Sequence, residues 1–127
     1  MSEQPKLGTV GWIDLTVDGA TELRDFYSKV TGWKASDVDM GGYRDFVMTD
    51  EDGTPVAGIC HAKGPNAGLP PQWLIYVTVA DLDLAMAAAV ENEGQVVHGP
   101  RLAGGGRMCV IQDPSGAHMA LYEGESS

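Results

Sequence analysis

Asp113-Pro114-Ser115-Gly116 precedes the last apolar run of the chain, and Asp50-Glu51-Asp52-Gly53 repeats its turn pattern sixty-three residues earlier. At that spacing Gly41 matches Gly104, Gly42 matches Gly105, Arg44 matches Arg107, Val47 matches Val110 and Ala57 matches Ala120. Nearer the start of each copy the spacing becomes sixty-two, where Ile13 matches Ile75, Thr16 matches Thr78, Val17 matches Val79 and Gly32 matches Gly94. One inserted loop residue reconciles the two spacings. The matches keep chain order and include Arg, Asp, Ile and Val as well as Gly, so the chain reads as one small unit used twice.

Composition bounds what such a duplicated unit can do. The 127 residues are 43% apolar and 20% charged, which suits a single globular domain (1–127) with a real core. A net charge of −10 with only eight Lys and Arg argues against tracking nucleic-acid phosphates or binding acidic membranes. No segment approaches the ~20 apolar residues of a membrane span, and no basic start leads into an apolar run, so a cytoplasmic, soluble protein is expected. Cys60 and Cys109 lack CxxC spacing and are expected as free, partly buried thiols.

Each copy reads as strand, helix, strand, strand, strand. In the first (7–61), Ile13, Leu15 and Val17 alternate with Trp12, Asp14 and Thr16, the two-residue period of a strand. Leu23, Phe26, Tyr27 and Val30 fall at helical spacing over residues 20–31, with Asp18 or Thr21 to cap the start and Gly32 to stop the helix. A short strand over 33–38 and a hairpin over 43–49 and 54–60 complete it. Gly64, Pro65, Gly68, Pro70 and Pro71 make residues 62–71 a connector. The second copy (72–123) repeats the order, with a strand over 72–79 whose Trp73 is expected to pack beneath the following helix. An Ala-rich helix follows over 81–93, capped by Asp81, then a short strand over 95–98. Residues 99–106 are expected to form a loop whose part from Leu102 to Gly106 makes a mobile rim. A hairpin over 107–112 and 118–122 ends the copy, and residues 123–127 are expected to be a frayed tail.

These residues resemble the vicinal oxygen chelate superfamily, which contains glyoxalase I, extradiol dioxygenases, fosfomycin resistance proteins and bleomycin-binding proteins. The resemblance rests on the doubled βαβββ order, on Phe26-Tyr27 with Gly32-Trp33 after the first helix, and on Asp113-Pro114-x-Gly116 before the last strand. Trp12-Ile13-Asp14-Leu15, Gly58-Ile59-Cys60-His61, Pro71-Gln72-Trp73-Leu74-Ile75-Tyr76 and Asp113 to Ala117 are similar to a bacterial glyoxalase-like branch. The resemblance implies an α+β fold whose tandem modules form an incomplete eight-stranded barrel, with a homodimer as the expected assembly.

Metal-using members of that superfamily place His or Glu on the first and last strands of each module, because a divalent ion there needs imidazole or carboxylate. Aligned on the turns, those positions fall at Trp12, Ala57, Leu74 and Ala120, and none can donate to a metal. No metal and no other cofactor is therefore expected. If Trp12 and Leu74 face the cavity, so do Asp14 and Tyr76, two residues further along each strand. That carboxylate and phenol could orient a polar ligand or act as base and acid, or could simply bond each other or a buried water. Trp12 is placed to stack on a flat ligand.

His61 and His118 are weaker candidates as ligand contacts. His61 could also hold an unconventional metal with Asp14, and exposed strand ends are the plainer reading for both. His98 reads as a surface residue, and Arg44 and Arg107 could clamp an anion or pair with surface carboxylates. The leading expectation is binding of a small organic molecule without a metal. The alternative is a lyase, isomerase or dioxygenase acting on a small carbonyl, epoxide or aromatic substrate, either with Asp14 and Tyr76 as acid and base or with an unconventional metal held by Asp14 and His61. A third reading is a paired-domain accessory protein with no occupied site.

Overall fold

The computed structural model describes Lys6 to Gly124. The first module comprises β1 (Val10–Val17), α1 (Ala20–Thr31), β2 (Lys34–Asp39), β3 (Arg44–Thr49) and β4 (Pro55–His61). A single 3-10 turn, Gly64–Asn66, lies in the connector. The second module comprises β5 (Trp73–Thr78), α2 (Leu82–Glu91), β6 (Gln95–Ala103), β7 (Gly106–Gln112) and β8 (His118–Glu123). The doubled βαβββ order is therefore present, and the molecule is α+β.

In the first module the strands run β2-β3-β4-β1, with β1 and β4 parallel and the other neighbours antiparallel. The second module repeats this as β6-β7-β8-β5, with β5 and β8 parallel. The two turns that disclosed the repeat are built alike. Asp50 Oδ1 accepts from the amides of Asp52 and Thr54, both at 2.9 Å, and Asp113 Oδ1 accepts from those of Ser115 and Ala117 at 2.7 and 3.1 Å. Gly53 and Gly116 follow at φ 81° and 96°, a left-handed conformation that costs glycine little.

Each sheet has one face under its helix. Val17, Phe46, Met48 and Ile59 pack against Ala20, Leu23 and Tyr27 of α1. Val77, Cys109, Ile111, Met119 and Leu121 pack against Leu82, Ala85 and Met86 of α2. On α1 only the Leu23 and Tyr27 row is turned inward, while Phe26 and Val30 remain 55% and 64% exposed. The apolar spacing marks the helix correctly but is wider than the face that packs.

Several local expectations are corrected. The N-cap of α1 is Gly19, with no side-chain bond, whereas Asp81 does cap α2 by accepting from Leu84 N at 3.0 Å. Trp73 packs with Tyr27 and Trp33 in the first module rather than beneath α2, and its Nε1 donates to Tyr27 Oη at 3.1 Å. The expected loop over 99–106 is mostly strand. Register shifts around His98 absorb Gly99 and Pro100, and Gly104 and Gly105 make the turn at φ 53° and 86°. Two consecutive positive φ values are what a two-residue hairpin turn of matching twist demands. Glu123 is not frayed: its Oε1 accepts from Leu82 N at 2.7 Å and from Arg107 Nη2 at 3.3 Å. Residues 1–5, and residues 125–127 of the expected tail, lie outside the described residues.

Candidate functional site

Strand alternation turns one set of side chains in each module away from its helix. In the first module Asp14 and Thr16 take these positions on β1, beside Gly58 and Cys60 of β4. In the second, Tyr76 and Thr78 take them on β5, beside Ala120 and Tyr122 of β8. The buried polar residues Thr16, Asp45 and Thr78 all belong to these helix-free positions, at 3%, 5% and 4% exposure. A buried polar side chain is retained where it has a hydrogen-bond partner. Polar chemistry is therefore concentrated on the faces that the helices leave uncovered.

The ladders correct one of the four expected metal-donor positions. In the second hairpin Val110 pairs with Ala120, Ile111 with Met119 and Gln112 with His118, without interruption. In the first, Val47 pairs with Gly58 and Met48 with Ala57, but Thr49 pairs with Pro55, so a β-bulge skips Val56. The extra residue returns the repeat spacing from sixty-three to sixty-two, and the partner of Ala120 in the repeat is Gly58 rather than Ala57. Asp14 opposite Gly58 is then matched by Tyr76 opposite Ala120. Ala57 itself shares the α1 side with Met48 and Ile59.

The corrected set is Trp12, Gly58, Leu74 and Ala120. Glycine has no side chain to offer, so the residues present do not fit a divalent ion at the superfamily's usual donor positions. Among the described residues no group of three or more His, Cys, Asp or Glu could hold a metal ion. An ion shared by Asp14 and His61 is also disfavoured. The β1–β4 register pairs Asp14 with Gly58, three residues before His61. That is about 10 Å along a strand and an odd step, which reverses the face.

The other candidates are placed as follows. Trp12 lies on β1 two residues before Asp14, half-buried, and Leu74 precedes Tyr76 in the same way and is buried. His118 opens β8 in register with Gln112. Arg44 donates to Asp37 at 3.1 Å, and Arg107 pairs with Asp83 and Glu123, so both form ion pairs within their own modules. Hydrogen bonds to Asp83 and then to Glu123 raise the Arg107 pKa above its ordinary value. His98 is half-buried and accepts at Nε2 from Arg101 Nε at 2.9 Å.

His61 stands with Asp45, a residue the sequence did not single out. Asp45 Oδ1 accepts from the His61 backbone amide at 2.8 Å and lies 3.4 Å from its Nδ1. The side chains are 13% and 7% exposed, and Tyr43 and Phe46 flank the imidazole at ring separations of 5.7 and 6.1 Å. Arg44-Asp45-Phe46-Val47 reads as ordinary strand, and the only available signal was that an acid on a buried strand needs a donor.

Comparison with known proteins adds the family. The model for the Glyoxalase/Bleomycin resistance protein/Dioxygenase superfamily matches residues 9–121. The anthracycline biosynthesis protein DnrV of Streptomyces peucetius is 35% identical over 116 residues, covering 91% of this chain and 42% of that protein. The putative glyoxylase CFP32 of Mycobacterium tuberculosis is 33% identical over 119 residues, covering 91% and 46%. The chain thus spans about half the length of these curated relatives. Among solved structures, Streptomyces coelicolor methylmalonyl-CoA epimerase in complex with 2-nitronate-propionyl-CoA aligns with a TM-score of 0.57 at 15% identity, over 95% of this chain and 100% of that one. The Mycobacterium tuberculosis methylmalonyl-CoA epimerase aligns with a TM-score of 0.55 at 16% identity, over 98% and 94%. At those identities the likeness concerns the fold.

Proposed function

The chain belongs to the Glyoxalase/Bleomycin resistance protein/Dioxygenase superfamily, and from that premise we propose that it binds a small organic molecule without the superfamily's usual metal. The contacts are Trp12, Asp14 and Tyr76 on helix-free strand positions, with His118 as a further polar group. The observation that carries this reading is the corrected donor set, in which indole, glycine, isobutyl and methyl groups stand at Trp12, Gly58, Leu74 and Ala120. Groups of that chemistry favour an apolar, flat ligand with one or two polar substituents.

The relatives support a small-molecule ligand. DnrV is named for anthracycline biosynthesis, and structures of the epimerase contain CoA esters. A planar aromatic molecule is the class that Trp12 would accept by stacking. A second reading, catalysis on a small carbonyl, epoxide or aromatic substrate, is favoured by the matched positions of Asp14 and Tyr76, which could give and take a proton. A soluble cytoplasmic homodimer is part of the same proposal, and light scattering on the purified protein tests the assembly.

Titration with planar aromatic polyketides and with CoA thioesters, followed by tryptophan fluorescence and calorimetry, tests the ligand class. Saturable binding of an aromatic ligand that weakens in Trp12→Ala supports the proposal. Binding of thioesters alone, indifferent to Trp12, contradicts it.

A further inference from the structure

We propose that His61 is a second polar site, a proton acceptor for the acidic hydroxyl of a small phenol or enol, separate from the contacts at Trp12, Asp14 and Tyr76. Asp45 is buried at 5% exposure, and its Oδ1 receives the His61 amide at 2.8 Å. That bond fixes the carboxylate beside the imidazole, with Nδ1 at 3.4 Å from the same oxygen. An acceptor at that place favours the tautomer with the proton on Nδ1, which leaves the Nε2 lone pair available.

Nε2 makes no hydrogen bond to the described residues, and none of their buried side-chain nitrogens or oxygens lacks a partner, so Nε2 is open to a ligand. Tyr43 and Phe46 wall the imidazole, and Lys63 Nζ lies 5.3 Å from the centre of the same Tyr43 ring. The site therefore offers a base, aromatic walls and a nearby ammonium group.

The ligand class follows by elimination. A carboxylic acid is already ionised at neutral pH and needs no base, and an alcohol is too weak an acid to yield its proton to imidazole. A plain phenol is also too weak an acid, whereas an acidified phenol or an enol, whose hydroxyl ionises close to imidazole, lies between. Its proton passes from oxygen to Nε2, giving an imidazolium held by Asp45 and a phenolate or enolate held by the imidazolium, with Lys63 adding to the local positive charge. No electrons are transferred and no bond other than O–H is broken.

The probe is 4-nitrophenol, whose ionised form has its own absorption band, used with the full chain below the probe's ionisation midpoint. Binding with growth of the phenolate band is expected. His61→Asn should remove that growth and weaken binding at least about tenfold, the scale of one charge-assisted hydrogen bond. Asp45→Asn should reduce the phenolate band, while nitrobenzene, which has no proton to give, should be indifferent to His61→Asn. In case the variants unfold, nitrogen NMR of the unsubstituted protein reads the tautomer directly. A proton on Nδ1 supports the proposal, and a proton on Nε2 overturns it. Absence of 4-nitrophenol binding also overturns it, as does a phenolate band kept in His61→Asn. A band lost in Asp14→Asn but kept in His61→Asn would assign the proton acceptor to the contacts at Trp12, Asp14 and Tyr76, leaving the proposed small-molecule function standing and this site refuted.

Discussion

Asp14 and Tyr76 occupy the same rung of two parallel ladders, Asp14 opposite Gly58 across β1 and β4, and Tyr76 opposite Ala120 across β5 and β8. The repeat thus places a carboxylate in one module where the other has a phenol, beside partners too small to crowd either. If these groups hold a ligand's polar atoms, Asp14→Asn and Tyr76→Phe should each weaken binding by about ten- to a hundredfold. If they are base and acid, turnover in Asp14→Asn should collapse while a neutral ligand still binds. Calorimetry with parallel turnover measurements separates the two, and loss of neither would remove both residues from the site.

Gly106 is a steric constraint at the start of β7. A Cβ there would meet the Glu123 carbonyl oxygen in hard contact, with Tyr122 Oη and Cζ at 2.8 and 2.9 Å. Tyr122 is itself fixed through its hydroxyl, which donates to the Gly104 carbonyl at 2.8 Å. Gly106→Ala should cost about 1–3 kcal/mol or more by overpacking, read as a lower midpoint in urea. An unchanged midpoint would show that the hairpin yields.

Asp113 ties acid sensitivity to a turn. The Ser115 hydroxyl, followed by backbone amides of the same turn, holds its pKa below the ordinary value of 3.8. The folded pKa is depressed, so the contribution to stability is present above the unfolded pKa and is lost as pH falls through the folded one. Asp113→Ala should therefore lower the melting temperature near neutral pH and lower it less in strong acid. A melting-temperature difference that is constant with pH would contradict this.

Cys109 should be chemically silent. It is fully buried among Leu82, Leu121 and their neighbours, and desolvation pushes its thiol up to about 11, only partly offset by a bond with the Leu121 backbone. Because the thiolate is the reactive form, a disulfide reagent at mildly alkaline pH should leave Cys109 unmodified until denaturant is added. Mass spectrometry of native protein with Cys109 rapidly labelled would contradict the burial.

Much of the fold was legible because the repeated signals were local. The turns at Asp50 and Asp113, the span of α1 and the order of strands follow from side-chain period and from glycine placed where φ must be positive. Other features depend on partners distant in sequence. The Val56 bulge shifts Gly58 into the place of Ala57, and nothing in Pro55-Val56-Ala57 announces it. Trp73 looks like the start of the second module, but Tyr27 and Trp33 claim it. His61 was visible as a strand-end histidine, yet its meaning depends on Asp45, sixteen residues earlier, which alternation alone would leave as a polar position beside Val47. The strand over 99–103 was hidden by Gly99 and Pro100, which the register shifts in β6 accommodate.

The central claim is that the strand positions at Trp12, Gly58, Leu74 and Ala120 support ligand binding without a metal. The most direct measurement is elemental analysis of the purified protein, coupled to thermal shifts with nickel, zinc, manganese and iron(II). Ligand affinity is then measured before and after treatment with a chelator. The prediction is no stoichiometric metal, no stabilisation by any of the ions, and an affinity that the chelator leaves unchanged. A stoichiometric ion, with ligand affinity that falls when it is stripped and returns when it is restored, would contradict it.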